Sequence, residues 1–192
     1  MGFDATGSLV VLDADASPLT VSVSGDNTRN VNVWMDHRAV AEARLVNETH
    51  DDVLRYVGGS ISPEMEIPKL LWLKRHLPST WNSAGHFLDL ADYLSFRATG
   101  SATRSTCTLT CKWNFLAHEQ RWSQSYFERV GLGDLVGEGY AKIGKEVVAP
   151  GTALGTGLTA AAALDFGLLE GTPVGPSWID ARAVWVGRGG GR

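Results

Sequence analysis

Strand-type and helix-type segments alternate along this chain, and that order restricts it to an α/β fold more tightly than any single motif does. Residues 8–12, "SLVVL", form a short unbroken apolar run of strand length. The turn-forming "DADASPL" and the alternating "TVSVS" that follow predict a hairpin. "NVNVWMD" (30–36) alternates again, and Asp36 is placed to cap a helix through "HRAVAEARLVN". "DDVLRYVGG" reads as a short helix stopped by two glycines. In "SPEMEIPKLLWLKRHLP", Pro68 suits a first helical turn, and Leu70, Leu71 and Leu73 form the apolar face with Trp72 alongside. "GHFLDLADYLSFRATG" predicts a strand, then a helix opened by Asp89 and closed before Gly100. The threonines of "TRSTCTLTCKWNF" favour strand, "SQSYFERVGL" favours helix, and "LTAAAALDFGL" is a helix capped by Thr159 and stopped by Gly167. "TPVGPSWID" closes the series as a strand that ends on Asp180.

Composition narrows the class. A chain of 192 residues with 44% hydrophobic side chains buries a sizeable core without disulfides or metal. Its net charge of -4 and lack of a dense Lys/Arg block argue against nucleic acid and against an anionic membrane surface. No apolar run is long enough to cross a bilayer, and no basic segment precedes the first apolar run as in a signal peptide. Cys107 and Cys111 are too sparse for a disulfide framework, so the expected address is the reducing cytoplasm.

The polar residues invite competing readings. Asp180, after an apolar strand, suits a turn or cap; it also suits a general base, because ligands of open α/β sheets bind beyond the carboxyl ends of strands. Trp34, Asp36 and Arg38 make either a capped, solvated helix start or a polar cluster beside a flat wall that suits a sugar. The C-x3-C pair has no histidine pairing to complete a zinc site, so Cys107 and Cys111 are expected as reduced core thiols. Lys112, inside an apolar run, must snorkel or find a partner, and could meet an anionic or polyhydroxy ligand. "PGTALGTGLT" (150–159) lacks the Lys-Ser/Thr ending of a phosphate loop and is expected as a flexible connection.

Taken in order, "DATGSLVVLD", "NVWMDHRA", "YVGGSISPEMEIPKLLWLK", "HFLDLADYLSFRATG", "CKW", "GLTAAAALDFGLLEGTPV" and "IDARA" cover residues 3 to about 183. The set resembles the FGGY family of carbohydrate kinases, in its ribulokinase-like branch. The resemblance implies part of an actin-like, ribonuclease-H-like lobe, with a mixed sheet and flanking helices. It also implies transfer of the γ-phosphoryl group of ATP, with Mg2+, to a hydroxyl of a ketopentose such as ribulose. By position, Asp180 of "IDARA" falls on the general base. Asp4 and Ala5 of "DAT" fall on sugar contacts, and Lys112 of "CKW" on a lysine presented to the ketose. Asp36 and Arg38 support the sugar side, and Glu64 of "SPEME" lines it.

The sequence also departs from the family. The opening Asp-x-Gly-Thr phosphate-loop strand and the nucleotide-binding second lobe have no counterpart. Arg182 stands where the family has histidine, Val184 where it has glycine, and Gly7 where relatives often have cysteine. The expectation is therefore an incomplete N-terminal lobe over residues 1–183. Residues 184–192 are expected as an unrelated, disordered Gly/Arg tail from a truncated gene model, a frameshift or alternative splicing. Such a chain should be catalytically silent alone; the alternative function is that of a non-catalytic fragment acting only by binding.

Overall fold

The computed structural model describes the backbone of residues 1–187 and the side chains of residues 1–183. In chain order the elements are β1 (Asp4–Ala5), β2 (Leu9–Leu12), β3 (Val31–Asn32), α1 (Val40–Glu48), a 3-10 turn (Asp52–Val57), α2 (Glu66–His76), α3 (Pro78–Ser83), β4 (His86–Asp89) and α4 (Leu90–Thr99). They continue with β5 (Arg104–Ser105), α5 (Thr106–Lys112), α6 (Gln124–Arg129), α7 (Gly133–Gly137), β6 (Val147–Val148), α8 (Ala160–Phe166), β7 (Trp178–Ile179) and α9 (Asp180–Gly187). This is a mixed α/β fold. Among the described residues no helix is long and apolar enough to cross a membrane.

β2 is the centre of an antiparallel sheet ordered β3-β2-β4, with Leu9 opposite both Asn32 and Asp89. Leu9 and Val11 face the larger core, while Val10 and Leu12 join Leu88 on the other side. Burial on both faces is why this strand reads as an unbroken apolar run. Its return to β4 is tight. The Gly85 amide donates to the Leu12 carbonyl, and a Cβ at Gly85 would lie 2.6 Å from the Ala14 backbone. Two further pairs are parallel: β1 with β7, and β5 with β6. The main core gathers Ile67, Leu70 and Leu73 of α2 with Trp113, Tyr126 and Phe127.

Several local expectations change in the structure. "TVSVS" is a loop, because the Thr20 and Ser22 hydroxyls accept the amides of Ser22 and Ser24 and draw the backbone into turns. Only the bridge between Leu12 and Pro18 remains of the hairpin. Asp36 caps no helix: α1 starts at Val40 without a side-chain cap, and the Asp36 carboxylate binds Arg38 instead. Of the threonine-rich segment only Arg104–Ser105 is strand, as β5, and Thr106–Lys112 is helix α5. The Ser105 hydroxyl accepts the Cys107 amide as a cap, and the Thr108 hydroxyl donates back to the Ser105 carbonyl, so local bonds override strand propensity.

The glycine-rich stretch is not a free linker either. Leu154 and Leu158 donate to the carbonyls of Val174 and Thr172, and Gly171 donates to Leu158. Gly157 sits at φ 88°, where a Cβ would meet the Gly171 carbonyl at 2.5 Å. At the C-terminal side Asp180 opens a helix rather than ending a strand, and that helix runs to Gly187. The boundary expected at residue 183 therefore falls inside α9, and tail residues 188–192 lie outside the described residues.

Candidate active site

β1 and β7 run side by side in parallel, with Asp4 opposite Trp178 and Ala5 opposite Ile179. Both strands therefore end at the same edge. β7 ends where Asp180 begins α9, and β1 ends where the chain turns through Thr6 and Gly7. α9 packs against both strands, and α5 packs against β7. The contact of α5 with β7 is close at Cys107. A hydrogen bond with the Cys111 thiol, foremost, and one with the Ile179 amide bring the Cys107 thiol down to about 6, against the opposing effect of burial. Cys107 and Cys111 are both free thiols.

Lys112, the last residue of α5, lies across the turn that follows β1. A Cβ on Gly7 would stand 2.7 Å from Lys112 Cε and 3.0 Å from its Cδ, so the absence of a side chain at Gly7 makes room for the lysine stem. The structure thus brings Asp4, Ala5, Lys112 and Asp180 to one edge of the fold. Asp180 and Lys112 are half-buried and Asp4 is exposed, an arrangement open to a polar ligand.

Asp36, Arg38 and Glu64 form a neighbouring patch. The Arg38 guanidinium donates to both Asp36 carboxylate oxygens and to the Val21 carbonyl, and it lies 4.8 Å from the Trp72 ring centre. Burial works to raise the Asp36 carboxyl, but the Arg38 hydrogen bonds and charge, helped by Lys69, leave it below its ordinary value. Glu64 pairs with His37 Nε2 at 3.0 Å. Trp34 connects this patch to the turn, its amide donating to the Ser8 hydroxyl at 3.0 Å. Among the described residues no hydrogen bond or ion pair joins Asp36, Arg38 or Glu64 to Asp180 or Lys112.

Sequence reasoning missed what lies beneath. Lys69 and Glu66 of α2 are fully buried; Lys69 Nζ donates to the Gly7 carbonyl at 3.0 Å and lies 3.3 Å from Glu66 Oε1. Burial, the largest influence, raises the Glu66 carboxyl to about 7, opposed by Lys69 and more weakly by Lys112 and Arg104. The only signal in the sequence was a Glu and a Lys three apart on a helix face otherwise made of leucine. Arg104, Asp89 and Asp92 form a second buried cluster behind it.

The described residues contain no group of three or more His, Cys, Asp or Glu side chains placed to hold a cation. The amides of the glycine-rich stretch at Leu154, Gly157 and Leu158 are bonded to backbone carbonyls rather than turned outward to cradle phosphate.

The fold is that of sugar kinases. The xylulose kinase from Rhodospirillum rubrum matches with a TM-score of 0.76 at 20% identity, over 96% of this chain and 35% of that one. The gluconate kinase from Lactobacillus acidophilus matches with a TM-score of 0.73 at 19% identity, over 92% and 33%. At such identities the likeness speaks for the fold, an actin-like one. Sequence carries the rest: residues 5–187 match the N-terminal domain of the FGGY family of carbohydrate kinases, and the chain belongs to that family. It is 53% identical over 188 residues to the FGGY carbohydrate kinase domain-containing protein of Homo sapiens, covering 97% of this chain and 34% of that protein. It is 39% identical over 201 residues to the D-ribulokinase of Saccharomyces cerevisiae, covering 97% and 28%. The chain therefore spans about a third of the length of these relatives.

Proposed function

We propose that this chain is the sugar-binding part of an ATP-dependent ketopentose kinase in which Asp180 accepts the proton of the hydroxyl that becomes phosphorylated. The observation that carries the reading is the shared edge of β1 and β7, where Asp180 and the Asp4–Thr6 segment meet. Lys112, laid over Gly7 from α5, supports it. The activity in the yeast relative's name, D-ribulokinase, favours a ribulose-like ketopentose among sugars. The two free thiols favour a reducing, cytoplasmic setting.

In family members ATP supplies the phosphoryl group and a divalent cation offsets its charge. The chain's own contribution is to bind and orient the sugar and to take up one proton. The Lys112 ammonium donates to sugar oxygens, and Asp4 with the backbone at Ala5 orients hydroxyls at the strand edge. The Asp180 carboxylate receives the proton as the hydroxyl oxygen forms its new bond. Asp36, Arg38 and Glu64 support the sugar side from the adjoining patch.

Calorimetric titration of the chain with D-ribulose, D-xylulose and glycerol tests the reading. Saturable binding of a ketopentose is expected, weakened about tenfold or more in Lys112→Met, the scale of one hydrogen bond to a charged group. Silence towards every ketopentose, or an unchanged Kd in Lys112→Met, contradicts it.

A second expectation follows from the close approach at Gly7. The atoms that a new Cβ would meet belong to a flexible lysine, so Gly7→Ala should leave the melting temperature nearly unchanged. It must displace the Lys112 stem, however, so ketopentose affinity should fall by about as much as in Lys112→Met. Equal affinity in Gly7→Ala and the wild-type chain would remove Lys112 from the sugar.

A further inference from the structure

Between β1 and β2 the chain leaves the parallel pair with β7 and enters the antiparallel sheet. It does so in one tight bend: the Ser8 amide donates to the Thr6 carbonyl at 2.8 Å, two residues back, with Gly7 at the apex. On one side of the apex lies the Lys112 stem; on the other, Lys69 Nζ holds the Gly7 carbonyl. The flanking residue is fixed as well, since the Ser8 hydroxyl accepts the Trp34 amide and the Ser8 carbonyl accepts the Leu90 amide.

A buried lysine is a costly way to fill space between Ile67, Leu70 and Leu73. Methionine or leucine would fill it without desolvating a charge or needing Glu66 as counter-ion. What lysine adds at this position is a donor that reaches the bend. We propose that Lys69, with its charge balanced by Glu66, is a positioning residue for sugar binding. Its hydrogen bond to the Gly7 carbonyl sets the bend that presents the end of β1 beneath Lys112. This rests on the sugar-kinase reading above and adds a residue that does not touch the sugar.

Removing either partner alone would strand the other's buried charge, so the informative variant is the pair Glu66→Gln with Lys69→Met, compared with the wild-type chain. The double variant is neutral and similar in shape, and should melt within a few degrees of wild type. Two readouts are taken on the full chain. Hydrogen exchange of the Ser8 amide is expected to quicken about tenfold in the double variant, and the Kd for D-ribulose to rise about tenfold, both relative to the wild-type chain.

Faster exchange together with weaker binding supports the proposal. Unchanged exchange and affinity reduce the pair to core filling and overturn it. Weaker binding without faster exchange, or the reverse, also overturns it, because the effect would not pass through the bend. Should the double variant fail to melt cooperatively, the wild-type lysine ammonium resonances decide. A Lys69 Nζ signal that shifts on adding D-ribulose supports coupling, and one that stays put overturns it. If the wild-type chain binds no ketopentose, the sugar-kinase reading fails first, and the positioning role falls with it.

Discussion

Asp180→Asn should lower sugar phosphorylation by about two to four orders of magnitude, with the loss in kcat and little change in the sugar KM. The assay needs a kinase in which this segment replaces the matching third of its human relative, so that nucleotide and sugar meet. Asparagine has nearly the shape of aspartate and keeps a hydrogen-bonding oxygen, so a sugar held by that oxygen stays bound. What it lacks is basicity. A residue that takes the hydroxyl proton only as the new bond forms acts in the transition state and hardly in the ground state, which is why kcat bears the loss.

The competing account makes Asp180 a favourable charge in the first turn of α9. Such a charge is worth about 0.3–1 kcal/mol and would register in the melting temperature, not in turnover. Lys112→Met is the useful contrast, because a residue that binds the sugar equally before and during reaction raises KM more than it lowers kcat. Undiminished turnover in Asp180→Asn would end the assignment.

The framework is legible in the sequence wherever local chemistry and burial agree. α2 buries its Leu70, Leu71 and Leu73 face, and α4 and α8 stop where expected, with Gly100 and Gly167 in left-handed conformations. The buried Leu9–Leu12 strand is equally plain. Legibility fails where distant partners decide. In 106–112 the Ser105 cap is local, but the Thr106 and Thr108 hydroxyls are also engaged by the Val148 carbonyl and the Asp92 carboxylate, partners that strand propensity does not reveal. For the site, the order of family-like words brings out Asp180 and Lys112, which spacing alone leaves open. Lys69 stays hidden because its partner is the Gly7 carbonyl, 62 residues away, and a backbone acceptor leaves no side-chain signature.

The largest effect on stability is expected at Arg104, which is 1% exposed. Its Nε donates to Asp92 at 2.7 Å, its Nη1 to the carbonyls of Phe87 and Ile143, and its guanidinium lies 4.7 Å from the Trp113 ring centre. One side chain thus joins β4, α4, the residue that follows α5 and the segment before β6. Arg104→Met fills much of the volume but leaves Asp89 and Asp92 buried without it, at a cost of about 3–5 kcal/mol. In a chain of this size that lowers the melting temperature by on the order of 10 °C.

The deficit should also depend on pH, with a definite sign. Burial, foremost, and then the charges of Glu66 and Asp92 hold the Asp89 carboxyl well above its ordinary value, while Arg104 and the Trp113 hydrogen bond pull it down. A group raised in the folded state contributes stability at low pH that is lost as pH rises through its folded value. Deleting Arg104 removes a downward pull, so ionising Asp89 in the variant costs more than in the wild-type chain. The gap between variant and wild type should therefore widen as pH rises above the ordinary carboxylate range and through the range in which Asp89 ionises. Urea midpoints across a pH series measure it. A gap below about 1 kcal/mol throughout the series would mean that Arg104 is held by its carbonyl partners and balances no buried carboxylate.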